Sequence, residues 1–181
     1  MKPPGVPPVS ARLCRRAAAL AFVSAVLFLL ANTALWLVPQ WTEFGARSQS
    51  NLQAEPITLT APVRWLGLGL SSLYVAVLAW ALLTARRLFL RLAAGDVFRL
   101  ETGTLLRRFG LALLLYAGLM PFFTTAMCWI VTMGNEPGQR LLRFGISDQN
   151  AVLALVGILV LVLGSVLAEA VQIADENRQI I

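Results

Sequence analysis

Charge disappears from this chain of 181 residues over four long stretches, 17–42, 65–85, 109–135 and 149–168. Each is as long as, or longer than, the roughly 20 residues a helix needs to cross the hydrocarbon of a bilayer. Lipid offers no partner to a bare N–H or C=O, so a spanning segment must be a helix or part of a closed barrel. Barrel strands alternate apolar and polar residues, and these runs do not. The expected fold is all-α: an integral membrane four-helix bundle with spans at about 17–38, 65–86, 109–133 and 150–170. Composition agrees, at 58% hydrophobic and 13% charged residues against about 25% charged in soluble domains. The longest stretches between spans, 43–64 and 86–108, fall well short of the roughly 50 residues of an independent domain.

Orientation follows from the basic residues, which are retained on the cytoplasmic side. Eleven of them (Lys2, Arg12, Arg15, Arg16, Arg86, Arg87, Arg91, Arg99, Arg107, Arg108 and Arg178) fall on one predicted face, and four (Arg47, Arg64, Arg140 and Arg143) on the other. Both termini are therefore expected in the cytoplasm. Trp36, Trp41, Trp65 and Trp129 fall at the predicted outer ends, where indole rings settle at head-group level.

The first span has a basic start like a signal peptide. Its apolar region exceeds the usual limit of about 15 residues and closes on no small-residue cleavage site, so an uncleaved anchor is expected. Pro3, Pro4, Pro7 and Pro8 disfavour helix. Residues 1–14 are expected to be a disordered tail and 15–181 one membrane domain.

No reaction chemistry is legible. The chain has no histidine, the commonest general base and metal ligand. Cys14 and Cys128 are solitary and fall near opposite predicted faces, too far apart for a disulfide; Cys128 reads as a small packing residue. Gly67 and Gly69 lack the lysine and hydroxyl residue of a phosphate loop and read as close-packing points. Ser71 and Ser72 have no base in view and are expected to bond to backbone. No catalytic, cofactor-binding or metal residue is assigned, and the protein is not expected to be an enzyme. Asn32 is the strongest polar residue within a span, on a stripe with Ala21, Ala25 and Phe28, and is expected to be a buried amide between helices. Glu169 ends the fourth apolar run, where its carboxylate can reach the interface.

Packing signals are clearer. Ala154, Gly157, Leu161, Gly164 and Ala168 form one stripe of mostly small residues, the kind that lets helices approach closely in lipid. Pro121 removes a backbone donor and predicts a bend in span three. Beyond span two the helix is expected to continue through Leu88–Leu92 to a stop at Gly95, which supplies a positive φ. Asp96 then caps a short turn, Phe98 is an apolar anchor, and Thr102 or Thr104 caps span three beside Arg107 and Arg108. The simplest use of so many arginines is a clamp on anionic lipid.

Gly95-Asp96-Val97-Phe98, then Leu105-Leu106-Arg107-Arg108-Phe109-Gly110, and the closing Ala174-Asp175-Glu176-Asn177-Arg178-Gln179-Ile180-Ile181 resemble the bacterial membrane family called domain of unknown function 2975, over roughly residues 15–181. The resemblance implies a four-helix protein of the bacterial cytoplasmic (inner) membrane, often encoded beside a small helix-turn-helix regulator of the Cro type, and it implies no activity. The chain departs from the family in having Glu101-Thr102 where Glu-Asn is more usual.

Glu169, Asp175 and Glu176 gather near a helix C-terminus, where the dipole disfavours anions. The acidic tail, Glu176 and Asn177 included, is expected to fold against the basic segment, with Arg107 and Arg108 as partners. The preferred function is therefore an interaction or regulatory protein that presents this face to a soluble partner, a helix-turn-helix regulator being the candidate. The alternative is a small permease or exporter component. Besides the lipid bilayer and such a regulator, a second copy of the chain is a candidate partner; direct nucleic-acid binding is not expected.

Overall fold

The computed structural model describes residues 8–52, 54–96 and 99–179, with side chains over 11–52, 54–96 and 99–174. The described residues form five helices and no strand: α1 (Pro8–Leu37), α2 (Pro39–Ser50), α3 (Ala61–Ala93), α4 (Leu100–Thr132) and α5 (Asp148–Gln179). Four of them are long and apolar enough to cross a membrane, over Ala11–Leu37, Ala61–Ala93, Leu100–Thr132 and Asp148–Ala174. The expected spans are present, and each helix runs beyond its apolar stretch. α1 begins at Pro8, so residues 8–14 are helix and not tail. Proline is tolerated in a first turn because its missing N–H would have had no intrahelical acceptor there. α4 begins at Leu100 and runs unbroken through Pro121.

Packing divides the chain into two compact units, each built from parts of the long helices. The first contains residues 8–25, 80–114 and 153–179. Here α4 and α5 run antiparallel in backbone contact. A Cβ added to Gly110 would lie 2.6 Å from the Leu161 nitrogen, one on Gly164 would lie 2.6 Å from the Arg107 nitrogen, and one on Gly103 would lie 3.0 Å from the Ala168 Cα. The stripe expected on span four is this seam; its counterpart on α4, Gly103, Arg107, Gly110 and Leu114, was not foreseen. On α1, Ala18, Ala21 and Ala25 are buried, and the Arg86 guanidinium lies over the Phe22 ring at 4.7 Å. On α5, Leu155, Ile158, Leu159, Val162, Leu163 and Val166 are exposed. That is the surface lipid requires.

The second unit contains residues 26–79 and 115–152. Its core gathers Trp36, Ala46, Leu52, Val63, Tyr74, Phe123, Met127, Cys128 and Val131. Tyr74 lies between two rings, 4.5 Å from Tyr116 and 4.3 Å from Phe123. α2 was not foreseen as an element. Pro39 occupies its first turn, the buried face consists of Thr42, Gly45, Ala46 and Ser50, and Asn51 ends it at φ 55°, a left-handed cap that asparagine tolerates. Two connectors close this end. Thr58 donates to Asn135 Oδ1 at 2.6 Å, Asn135 Nδ2 donates to the Pro56 carbonyl at 2.7 Å, and the Leu141 N–H donates to Thr132 Oγ1 at 3.1 Å.

Several expectations are corrected in this unit. Trp36 is not an interfacial anchor: it is 1% exposed, whereas Trp41, at 52%, is open as expected. Thr42 of α2 donates to the Trp36 carbonyl at 3.4 Å, and Gly67 leaves the indole room, with a Cβ there only 2.2 Å from the ring. Gly69 has nothing within 4 Å and is no packing point. Ser71 donates to the Leu68 carbonyl as expected, whereas Ser72 Oγ accepts from Asn32 Nδ2 at 3.3 Å. Asn32 is 5% exposed and its Oδ1 accepts from Gln49 Nε2 at 3.3 Å. The expected buried amide thus joins α1, α2 and α3. Phe28, placed on the same stripe, is exposed. Cys128 is buried core, Cys14 is half-buried, and both are free thiols.

Candidate functional site

The turn between α3 and α4 is built from the sequence signals that predicted it. Gly95 adopts φ 87°. Its N–H reaches the Leu92 carbonyl, and the Asp96 N–H reaches the Arg91 carbonyl at 3.2 Å. Those two bonds are the 5→2 and 6→1 pair of a Schellman motif, which satisfies the last carbonyls of α3. Asp96 is a charge partner more than a cap: its carboxylate lies 3.0 Å from Arg99 Nε and 4.0 Å from Arg91 Nη1. Thr102 is buried and donates to the Asp96 carbonyl at 2.6 Å. Thr104 donates to the Leu100 carbonyl at 2.9 Å, inside α4. Neither threonine caps α4, because the helix starts earlier than its charge-free stretch. Instead the Arg99 carbonyl takes the N–H groups of Thr102 and Gly103.

Between the end of α3 and the start of α4 lies an open groove of about 620 Å³. Arg87, Leu90 and Arg91 line one side, and Glu101, Thr104 and Arg108 are among the residues lining the other. Arg91 forms an ion pair with Glu101 that ties the two helices across the turn. Three guanidinium groups and one carboxylate thus line the groove, and the carboxylate pairs with Arg91. Among the described residues Arg87 and Arg108 have no ion-pair partner. Such a groove suits an anionic occupant of peptide or phosphate kind, since arginine presents several N–H donors in a fixed fork.

Of the residues singled out from sequence, Arg108 lines the groove, and Gly95 and Asp96 form the turn at the end of α3. Arg107 is exposed, and its backbone abuts Gly164. Glu169 is exposed on α5, with no ion-pair partner among the described residues. Phe98 and the side chains of Glu176 and Asn177 lie outside the described residues, although α5 continues to Gln179. The Arg91–Glu101 tie was missed. Its signal was the strong stop at Gly95 between them, which folds the chain back and brings α4's first acid to α3's last arginine.

Four long apolar helices, lipid-compatible surfaces and a charged inter-helix turn define a multi-pass helical membrane protein. Residues 49–181 match the family described as Protein of unknown function (DUF2975), and the chain belongs to it. The match begins within α2, and all three segments that carried the resemblance lie inside it. No curated protein and no solved structure matches the chain.

Proposed function

We propose that this protein is a non-enzymatic anchor in the bacterial cytoplasmic membrane, oriented with both termini and the α3–α4 turn in the cytoplasm, that holds a soluble partner at the arginine groove. The supporting observation is the groove itself, in which Arg87 and Arg108 are without carboxylate partners among the described residues while Arg91 is fixed by Glu101. Exposed ion pairs contribute under about 1 kcal/mol each. A partner must therefore engage several arginines at once, which favours an acidic segment lying along the groove. The partner class is a small helix-turn-helix regulator held by its acidic surface. The acidic tail beyond Ala174 competes for the same arginines and would release it.

The test uses the full-length protein in nanodiscs and a purified small helix-turn-helix regulator of the Cro type. Retention on immobilised nanodiscs is expected for the wild type and lost for Arg87→Glu with Arg108→Glu, whereas Arg140→Glu leaves it intact. Retention that is equal in all three would remove the groove from the proposal. Reporter fusions at either terminus that are active only outside the cytoplasm would remove the orientation on which it rests.

A further inference from the structure

The groove between α3 and α4 lies within the first unit, and its unpaired arginines stand at a particular depth. Arg87 is the second residue beyond the charge-free run 65–85, and Arg108 immediately precedes the run 109–135. A helix rises about 1.5 Å per residue, so each is within about 3 Å of the end of its apolar stretch. Phospholipid phosphates sit at that edge of the hydrocarbon. Arg91, one turn further out, is already held by Glu101, and the Thr104 proton is committed to the Leu100 carbonyl at 2.9 Å. The side-chain donors left in the lining are guanidinium N–H groups, those of Arg87 and Arg108 without a carboxylate among the described residues.

The adjacent arginines are placed differently. The Arg86 guanidinium lies over the Phe22 ring at 4.7 Å, Arg107 belongs to the stretch of α4 whose backbone abuts Gly164, and neither lines the groove. Arg87 and Arg108 thus form a pair set apart from a general belt of positive charge. On the membrane side of this pair the surface is apolar. Trp80, seven positions before Arg87, is exposed on α3, and Leu111, three positions after Arg108, is exposed on α4. Those spacings keep each on the helix face of its arginine. A soluble anion would use the guanidinium groups alone, whereas a lipid would use both the charge and the apolar surface beneath it.

We propose that the membrane-edge end of this groove is a binding site for one anionic glycerophospholipid, its phosphate held between Arg87 and Arg108 and its chains lying against Trp80 and Leu111. Guanidinium groups suit phosphate oxygens because they present several N–H donors in a fixed fork. The assignment does not rest on the soluble partner proposed above, whose acidic segment would have to displace this phosphate to reach the same arginines.

The test uses the full chain released from nanodiscs of phosphatidylcholine and phosphatidylglycerol with matched acyl chains, and native mass spectrometry counts the lipid it retains. One phosphatidylglycerol should be kept in preference to phosphatidylcholine. Arg87→Gln with Arg108→Gln should lower that preference on the order of tenfold, and either change alone several-fold. Arg107→Gln removes the same charge at nearly the same depth but outside the groove, and should leave the preference within about twofold. If the double variant fails to fold, the single variants carry the test. Glycerol 3-phosphate, which has the head-group phosphate without the chains, should leave the bound lipid in place. No preference in the wild type, an undiminished preference in the folded groove variants, an equal loss in Arg107→Gln, or displacement by glycerol 3-phosphate would overturn the assignment. No soluble partner is present in this experiment, so its failure and the failure of partner retention are separate results.

Discussion

Gly110 on α4 faces Leu161 on α5 so closely that a methyl group on the glycine would lie 2.6 Å from the leucine's backbone nitrogen. Backbone has no rotamer by which to move aside, so Gly110→Ala must part the two helices. Association in lipid depends on such close packing and not on escape from water. The expected loss is about 1–3 kcal/mol, read as a lowered thermal transition in nanodiscs. Gly69→Ala, at a glycine with open space around it, should leave the transition unchanged or slightly raised. Equal effects at the two positions would show that helix propensity, not the α4–α5 seam, sets the result.

Gly67 and Trp36 form a second dependent pair, in which the obstacle is the far edge of an indole. Gly67→Ala should destabilise by about 1–3 kcal/mol by overpacking. Trp36→Phe removes the outer ring atoms, and because Trp36 Nε1 has no hydrogen-bond partner among the described residues, it loses packing alone. The double variant should recover part of the damage from Gly67→Ala, giving a non-additive cycle of at least about 0.5 kcal/mol. Additive losses in chemical unfolding would contradict the contact.

Gly95 ends α3 at φ 87°, a conformation that costs a residue with a Cβ about 1–2 kcal/mol. Gly95→Ala should therefore lower the thermal transition, and Gly95→Asn should lower it less, since asparagine enters the left-handed region more readily. The Ala variant should also weaken the partner retention proposed for the groove, because the Arg91–Glu101 tie spans the turn. A neutral Gly95→Ala would mean that the turn has no need of that backbone geometry.

The Glu55 carboxyl is held below its ordinary pKa of 4.5, first by a hydrogen bond from its own backbone N–H and further by the Ala54 N–H and Arg143, against a smaller opposing effect of burial. A carboxyl whose folded-state pKa is depressed contributes stability that is fully present above its unfolded pKa and is lost as pH falls through the folded value. The Glu55–Arg143 tie should therefore hold at neutral pH and loosen only as pH falls through the folded-state value, which lies below 4.5. Amide hydrogen exchange across residues 54–60 and 139–147 should accelerate on acidification in the wild type. In Glu55→Gln exchange should already be fast at neutral pH and vary less with acid. Identical pH profiles would exclude Glu55 as the responsible group.

Much of the α3–α4 turn was legible because its determinants are local. A glycine after an apolar helix, an acid beside it and arginines on both sides predict a stop, a reversal and a basic turn. The groove volume and the Arg91–Glu101 pair were not legible, since they depend on where α4 begins, and α4 begins nine residues before its charge-free stretch. α2 escaped notice for a related reason. Its twelve residues are mostly polar or small and show no long apolar stripe, so only the Pro39 start, the Glu43–Arg47 spacing and the Asn51 stop hinted at a helix.

The number of membrane-crossing helices, their approximate limits and the seam on α5 were determined by the sequence alone. Hydrocarbon thickness and the need to satisfy every backbone group within one segment turn apolar length directly into helix. The tertiary structure alone decided that Trp36 is core while Trp41 is open, that Asn32 bonds to Ser72 and Gln49, and that Asn150 lines a chamber with Ser50 and Thr124. Those outcomes depend on residues distant in the chain that meet only once the helices have packed, and no local pattern carries that information.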